Sequence, residues 1–167
     1  MSDNRRFFIT GNAGSGKTTL AKRMSKELNI PYYSLDSIVW QSGWKTTPLI
    51  KKQELISNLL KHNEWIIEGV SKDVLVVADV VIFLDLSRFT CFKRLVKRNI
   101  KYLFKTRPEL PANCPEIKVV FKLIKIVWNF KKVVRPTIIK YISMVKNSKK
   151  VIIYHLSQSA DVNKFKI

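Results

Sequence analysis

An α/β fold built on a five-stranded parallel sheet is predicted by two observations on this chain of 167 residues. Short apolar runs alternate with helix-length segments, which is the rhythm of strand, crossover helix and parallel strand. The first run leads straight into Gly11-Asn12-Ala13-Gly14-Ser15-Gly16-Lys17-Thr18. That octet fits G-x-x-x-x-G-K-[ST] without a mismatch and opens a helix, where a phosphate-binding loop (P-loop) belongs.

In chain order, Arg5 to Thr10 reads as the strand entering the loop and Thr19 to Leu28 as the helix leaving it. Tyr32 to Leu35, Glu64 to Ile67, Asp79 to Leu84 and Lys150 to Tyr154 supply the other four strands. Thr47 is expected to cap a helix running to about Lys61, with Pro48 at its first position, where a missing N–H costs nothing. Ser71 and Ser87 are expected to cap the next two helices.

After Arg88 the alternation stops. A helical stretch to about Lys105 precedes Thr106-Arg107-Pro108-Glu109-Leu110-Pro111-Ala112-Asn113-Cys114-Pro115, whose three prolines force a loop. Two more helices are expected at 116–132 and 136–148. The first sets Lys118, Lys122 and Lys125 on one stripe against Val119, Val120, Phe121, Leu123, Ile124, Ile126, Val127 and Trp128, an apolar face wide enough to be mostly buried. A helix lying on an anionic membrane surface is the alternative. The whole, residues 1–167, is expected to be one domain, with 88–148 a basic helical insertion between strands four and five.

Lys and Arg number 31 against 12 Asp and Glu, a net charge of +19, and residues 93–150 alone hold +15 of it. So local an excess points to a phosphate-rich partner or a solvated basic face. Met1-Ser2-Asp3-Asn4 shows no apolar leader and no stretch is long enough to span a bilayer, so a cytoplasmic location is expected. Cys91 and Cys114 are far apart and read as free thiols, while His62 and His155 are isolated and read as ordinary surface or packed histidines.

The loop chemistry needs these residue types. Glycines let consecutive N–H groups turn toward phosphate oxygens, and the helix N-terminus adds positive potential. Gly11 to Thr18, with Thr19, are therefore the expected nucleotide-binding residues, Lys17 reaching the terminal phosphates and Thr18 offering its hydroxyl to Mg2+. Open parallel sheets bind ligands at the carboxyl ends of their strands. Asp36, Glu68 and Asp85 fall at such ends and are candidates to orient metal-bound water or accept a hydroxyl proton. Arg94 and Arg98, four apart on one helix, share a face and suit the charge of a transferring phosphoryl group. A GTPase switch is not expected, since no Asn-Lys-x-Asp sequence occurs.

The loop, Glu68-Gly69 after an apolar strand, Asp85 and the Arg94 to Arg98 spacing together resemble the adenylate-kinase-like branch of P-loop kinases. Leu35-Asp36-Ser37-Ile38-Val39-Trp40, Gly43-Trp44, Trp65-Ile66-Ile67-Glu68-Gly69, Thr106-Arg107-Pro108, Asn113-Cys114-Pro115-Glu116 and Arg135-Pro136 resemble a narrower family, the bacterial DNA topology modulation proteins. The resemblance implies a three-layer P-loop NTPase fold with strand order 2-3-1-4-5, ATP and Mg2+ at the loop, and an acceptor beside Asp36, Trp40, Trp44 and Glu68. It carries Lys17, Thr18, Arg94 and Arg98 over as phosphate and metal-site residues, with Arg88, Arg107 and Arg135 as lid candidates. Lys72, a further acceptor-side candidate, stands where adenylate kinases place an arginine after the Glu68-Gly69 equivalent, and Thr19 replaces their glycine. An aspartate ending strand two is closer to kinases that phosphorylate a hydroxyl than to those that use AMP. The expected activity is phosphotransfer to a small-molecule or nucleotide acceptor, and the alternative is a P-loop protein acting on DNA or RNA through its basic insertion.

Overall fold

Strand β1 (Arg6–Gly11) is buried over nearly its whole length because it lies at the middle of the sheet. In chain order it is followed by α1 (Lys17–Leu28), β2 (Tyr32–Ser34), α2 (Leu35–Val39), α3 (Leu49–Leu60), β3 (Trp65–Glu68), α4 (Lys72–Val77), β4 (Val80–Leu84) and α5 (Arg88–Tyr102). A single 3-10 turn, Glu116–Lys118, leads into α6 (Val120–Val133), α7 (Arg135–Val145), β5 (Ile152–Leu156) and α8 (Ser159–Lys164). The structure is a computed structural model that describes residues 5–145 and 151–167.

All four pairings of the main sheet are parallel, and the strand order is 2-3-1-4-5, as the resemblance implies. Alternation along β1 sends Phe7 and Ile9 to one face and Phe8 to the other, since successive side chains of a strand point oppositely. The first face packs on Leu20, Ala21 and Met24 of α1, Cys91 and Leu95 of α5, Val127 of α6 and Val162 of α8. The second packs on Ile56 of α3 and on Val74 and Leu75 of α4, so helices cover both sides in three layers. Phe8 is 1% exposed, and its truncation to Ala would cost about 3–5 kcal/mol.

Ser71 and Ser87 cap α4 and α5 as expected, accepting from the backbone N–H of Val74 and Thr90. Other expectations are corrected. Thr47 does not cap α3: the chain turns one residue later, Pro48 is the capping position, and no side chain accepts there. Leu35 belongs to α2 rather than to β2, so Asp36 sits in the first turn of a short helix. A two-stranded antiparallel ribbon, Trp40–Gln41 with Lys45–Thr46, was not anticipated; two-residue strands are too short to show periodicity. Helix α8 was also unforeseen, although Gln158 and Asp161 form its capping box.

The insertion differs most. Lys118 lies in the 3-10 turn, not on α6, and the apolar face of α6 is not mostly buried: only Val127 and Phe130 are, while Phe121, Ile126 and Trp128 are exposed. The helix expected to run to 148 is described to Val145, and its last three positions, like Lys150 of the fifth strand, lie outside the described residues. Cys91 and Cys114 are free and buried. No helix among the described residues is long and apolar enough to cross a membrane.

Candidate functional site

The P-loop curls where β1 hands over to α1, and sterics fix its glycines. Gly14 has φ +78°, and a Cβ there would stand 2.4 Å from the Cys91 carbonyl oxygen, so α5 seals the loop from behind. The loop closes on itself through Ser15 N–H to the Asn12 carbonyl at 3.2 Å and Ala13 N–H to Asn12 Oδ1 at 2.8 Å. Lys17 folds back over it, Nζ donating to the Asn12 carbonyl at 2.9 Å. Arg94 closes the other side, donating from Nη1 to the Ser15 carbonyl at 3.1 Å. Two cations thus flank one turn of backbone, the arrangement a polyphosphate needs. Thr19 is exposed on the outer side of α1.

Thr18 faces inward. Its hydroxyl donates to Glu68 Oε1 at 3.1 Å, and Ser34 Oγ donates to the same oxygen at 2.7 Å. Glu68 is 4% exposed, a burial a carboxylate tolerates only with such partners. One carboxylate oxygen therefore joins the phosphate loop to the end of β2, two residues before Asp36. Ser34 was not singled out from sequence; its position two residues ahead of Asp36 was the available signal.

Asp36 is half exposed and lies 3.7 Å from Arg107 Nη2. Arg107 in turn approaches Glu116, Nε to Oε1 at 2.6 Å, a charge contact off the N–H axis, and Arg98 Nη2 reaches Glu116 Oε2 at 3.5 Å. Glu116 is fully buried between the two guanidiniums. Burial works against the Arg98 charge and Arg107 adds repulsion, which Glu116 and Asp36 offset only in part, so the guanidinium titrates below its ordinary range. Arg98 is thus engaged with the insertion, while Arg94 is the member of the pair at the loop. The sequence singled out Asn113-Cys114-Pro115-Glu116 as a motif without assigning Glu116 a role.

The proline-rich loop seats on the ribbon. Trp44 Nε1 donates to the Pro115 carbonyl at 2.9 Å, Gly43 N–H to that of Ala112 at 3.3 Å, and Trp44 N–H faces Cys114 Sγ at 3.4 Å. Trp40 packs edge-on to Trp44 with centroids 5.3 Å apart, and Lys122 lies 4.7 Å over the Trp40 ring. Lys22 of α1 pairs with Glu109, tying the loop to the nucleotide side as well. Asp36, Trp40 and Trp44 therefore each contact the insertion, through Arg107, Lys122 and Pro115 respectively. Lys72 is exposed at the start of α4 and lines a separate pocket of about 300 Å³ with Phe8, Thr10, Val133 and Ile138, whose walls include neither Asp36 nor Trp40.

Asp85 is taken by another partnership. Arg135 grips it from Nε at 2.9 Å and Nη2 at 2.8 Å, and His155 Nε2 lies 3.0 Å away with its ring stacked on Phe83. His155 is therefore not isolated. Burial raises the Asp85 carboxyl, but the Arg135 and His155 hydrogen bonds outweigh it and hold the group below its ordinary 3.8. Arg88 stacks on Trp128 at 5.0 Å. Burial pushes the Cys91 thiol up, so it is a packing group and not a nucleophile.

Strand order, loop and strand-end carboxylate define a P-loop protein of the kinase type. The AAA domain family model (AAA_18) matches residues 8–104, more than half of the chain, and the chain belongs to that family. It is 46% identical over 41 residues to a shikimate kinase of Bacteroides fragilis, covering 25% of this chain and 23% of that protein. The shikimate kinase of Bacteroides thetaiotaomicron is 44% identical over the same length. The chain thus matches about a quarter of the length of these curated relatives. Among solved structures it resembles a shikimate kinase from Bacteroides thetaiotaomicron at 18% identity, with TM-score 0.49 and coverage of 95% of this chain and 92% of that one. An uncharacterized protein from Eubacterium ventriosum gives TM-score 0.47 at 19% identity, covering 90% and 87%.

Proposed function

We propose that this protein is an ATP- and Mg2+-dependent kinase for a small-molecule or nucleotide acceptor. The observation that carries the reading is the double hydrogen bond to Glu68, which couples the loop that would hold the donor phosphates to the strand end that presents Asp36. Lys17 and Arg94 hold the triphosphate and stabilise charge on the transferring group. Asp36, half exposed and charge-paired with Arg107, orients an acceptor hydroxyl and takes its proton, while Trp40 and Trp44 wall the acceptor and the seated loop excludes water.

The residues present suit magnesium. Thr18 and Glu68 offer hard oxygens beside the loop, and no cluster of three His, Cys, Asp or Glu occurs among the described residues, in keeping with an ion held largely by phosphate and water. Such an ion would neutralise charge on the phosphates. The shikimate kinase relatives support phosphotransfer as the reaction class. Membership of the narrower topology modulation family is also part of this proposal. It is supported by the fact that two of the stretches that carry the resemblance, Gly43-Trp44 and Asn113 to Glu116, meet through Trp44 at Pro115 and Cys114.

Nucleic-acid binding by the basic insertion is the weaker reading. Six aromatics are interleaved with the basic residues of the insertion; Phe130 is buried and Tyr102 and Tyr141 are half-buried, which leaves Phe104, Phe121 and Trp128 exposed for stacking.

ADP release above the no-acceptor rate, screened over nucleotides, nucleosides and small hydroxyl compounds, tests the kinase reading. Lys17→Ala and Asp36→Ala should each nearly abolish phosphotransfer with the fold intact. Full turnover by both variants would overturn the assignment.

A further inference from the structure

We propose that the outward face of α5, continued by Trp128 and Phe121 of α6, docks on an anionic lipid bilayer. The inference goes beyond phosphotransfer and rests on separate residues. Phe89, Phe92, Val96 and Ile100 recur at i, i+3, i+7 and i+11, so they share one stripe of α5, while its buried residues Cys91, Leu95 and Asn99 turn to the core. A helix with a core face needs no second apolar stripe, and apart from Phe92, which is partly buried against the core, this one is open to water: Phe89 is 61% exposed, Val96 38% and Ile100 73%, and Phe121 of α6 84%. Phe92, Val96 and Ile100 border a shallow groove of about 360 Å³, flanked by Lys93 and Lys97. Trp128 extends the face across to α6, its ring edge-on to Phe89 at 6.0 Å.

Charge selects the occupant. Lys93 and Lys97 flank the stripe, Lys125 is exposed on α6, and neither helix carries an Asp or Glu. A second copy docking through the same face would set these cations against one another, which costs affinity. A nucleic-acid backbone would accept the charges but gain nothing from Val96 and Ile100, which have no π-face for a base to stack on. Anionic headgroups over acyl chains satisfy both components: Lys93, Lys97 and Lys125 stay at headgroup level while the apolar side chains enter the interface. Arg94 lies five positions from Phe89, on a different side of the helix, so docking leaves the phosphate loop accessible.

Sedimentation with phosphatidylcholine vesicles and with vesicles containing roughly 30% phosphatidylserine tests the proposal. Binding is expected to the anionic vesicles alone. The double variant Val96→Gln/Ile100→Gln keeps every charge and alters only exposed positions, and it should bind about tenfold more weakly with an unchanged circular dichroism spectrum. Brominated lipid should quench tryptophan fluorescence, and Trp128→Phe should reduce the quenching, since Trp128 is exposed on the docking face while Trp65 is fully buried. Any of four results would overturn the proposal: no binding to anionic vesicles, equal binding to neutral ones, an unchanged affinity in the double variant, or a face occupied instead by a second copy or by duplex DNA and lost from that partner in the double variant.

Discussion

Asn12 Nδ2 donates to the backbone carbonyl of Val127 at 3.0 Å, across 115 residues of sequence and in a fully buried setting. The phosphate loop is thereby fastened to the middle of α6, so the basic insertion is part of the loop's scaffold as well as a cover. The side-chain oxygen of Asn12 accepts from Ala13 N–H in the same arrangement, so both ends of the amide are engaged.

Asn12→Ala should therefore lower unfolding free energy by about 1–3 kcal/mol, because it removes a buried hydrogen bond to α6 and leaves the Ala13 N–H without its acceptor. Asn12→Asp should be at least as damaging, since a carboxylate cannot donate to Val127 and would face its carbonyl oxygen. Denaturant unfolding gives the first quantity. Titration with ATP should show weaker binding in both variants, and wild-type stability in Asn12→Ala would refute the coupling.

Glu116 offers a sharper test. It is fully buried and opposes two guanidiniums, and removing one partner of such a group leaves uncompensated charge inside the protein. Glu116→Gln should cost about 3–5 kcal/mol, more than a surface ion pair could. Adding Arg98→Met to Glu116→Gln should recover part of that loss, because it removes one of the stranded cations. A thermal melt of the two variants side by side decides the matter. A double variant no more stable than the single one would show that the stranded charge is not the cause.

How far the sequence carried the fold can be judged from such residues. The central strands were legible because they are buried on both faces and read as unbroken apolar runs, such as Val80 to Leu84. The loop was legible because its glycines and Lys17 answer to local geometry. Glu116, Ser34 and the carbonyl of Val127 were not, since each acquires its role from a partner that only tertiary packing brings near. The α6 face misled for a related reason: apolar periodicity states which side chains could be buried, and nothing about whether a partner covers them. Asp85 was ambiguous for want of a contact that lies 50 residues away, in Arg135.

That contact predicts a pH dependence. The folded-state carboxyl of Asp85 titrates below its ordinary 3.8, so its pairing with Arg135 and His155 contributes stability above that value. The contribution is lost as the pH falls from there through the depressed folded-state value. Asp85→Asn and Arg135→Gln should each flatten the fall in unfolding free energy below about pH 4. Urea melts across pH 2.5 to 6, each figure being roughly a limit of the carboxylate range, supply the curve. An acid limb as steep in Asp85→Asn as in the wild type would assign it to other carboxylates.

Gly69 separates acceptor from donor function. Its φ is +144°, and a Cβ placed on it would lie 2.8 Å from Leu35 Cβ, with two further Leu35 side-chain carbons within 3.0 Å. Leu35 is buried and immediately precedes Asp36, so it cannot yield without moving the helix that presents the carboxylate. Gly69→Ala combines backbone strain with that displacement and should cost about 1–3 kcal/mol in stability. The P-loop is held by Gly14 against α5 and by Asn12 against α6, contacts in which Gly69 takes no part, and its link to this strand end, Thr18 to Glu68, is made by the side chain of the preceding residue. ATP affinity should therefore stay near the wild-type level. With Asp36 in its proposed role, phosphotransfer should fall at least tenfold, since a displacement of about 1 Å at a reacting group is worth that much or more. Equilibrium nucleotide binding and turnover measured on the same preparation distinguish the outcomes. Parallel loss of both would mean that Gly69 supports the sheet end as a whole, and unchanged turnover would mean that Asp36 does not depend on Leu35 for its position.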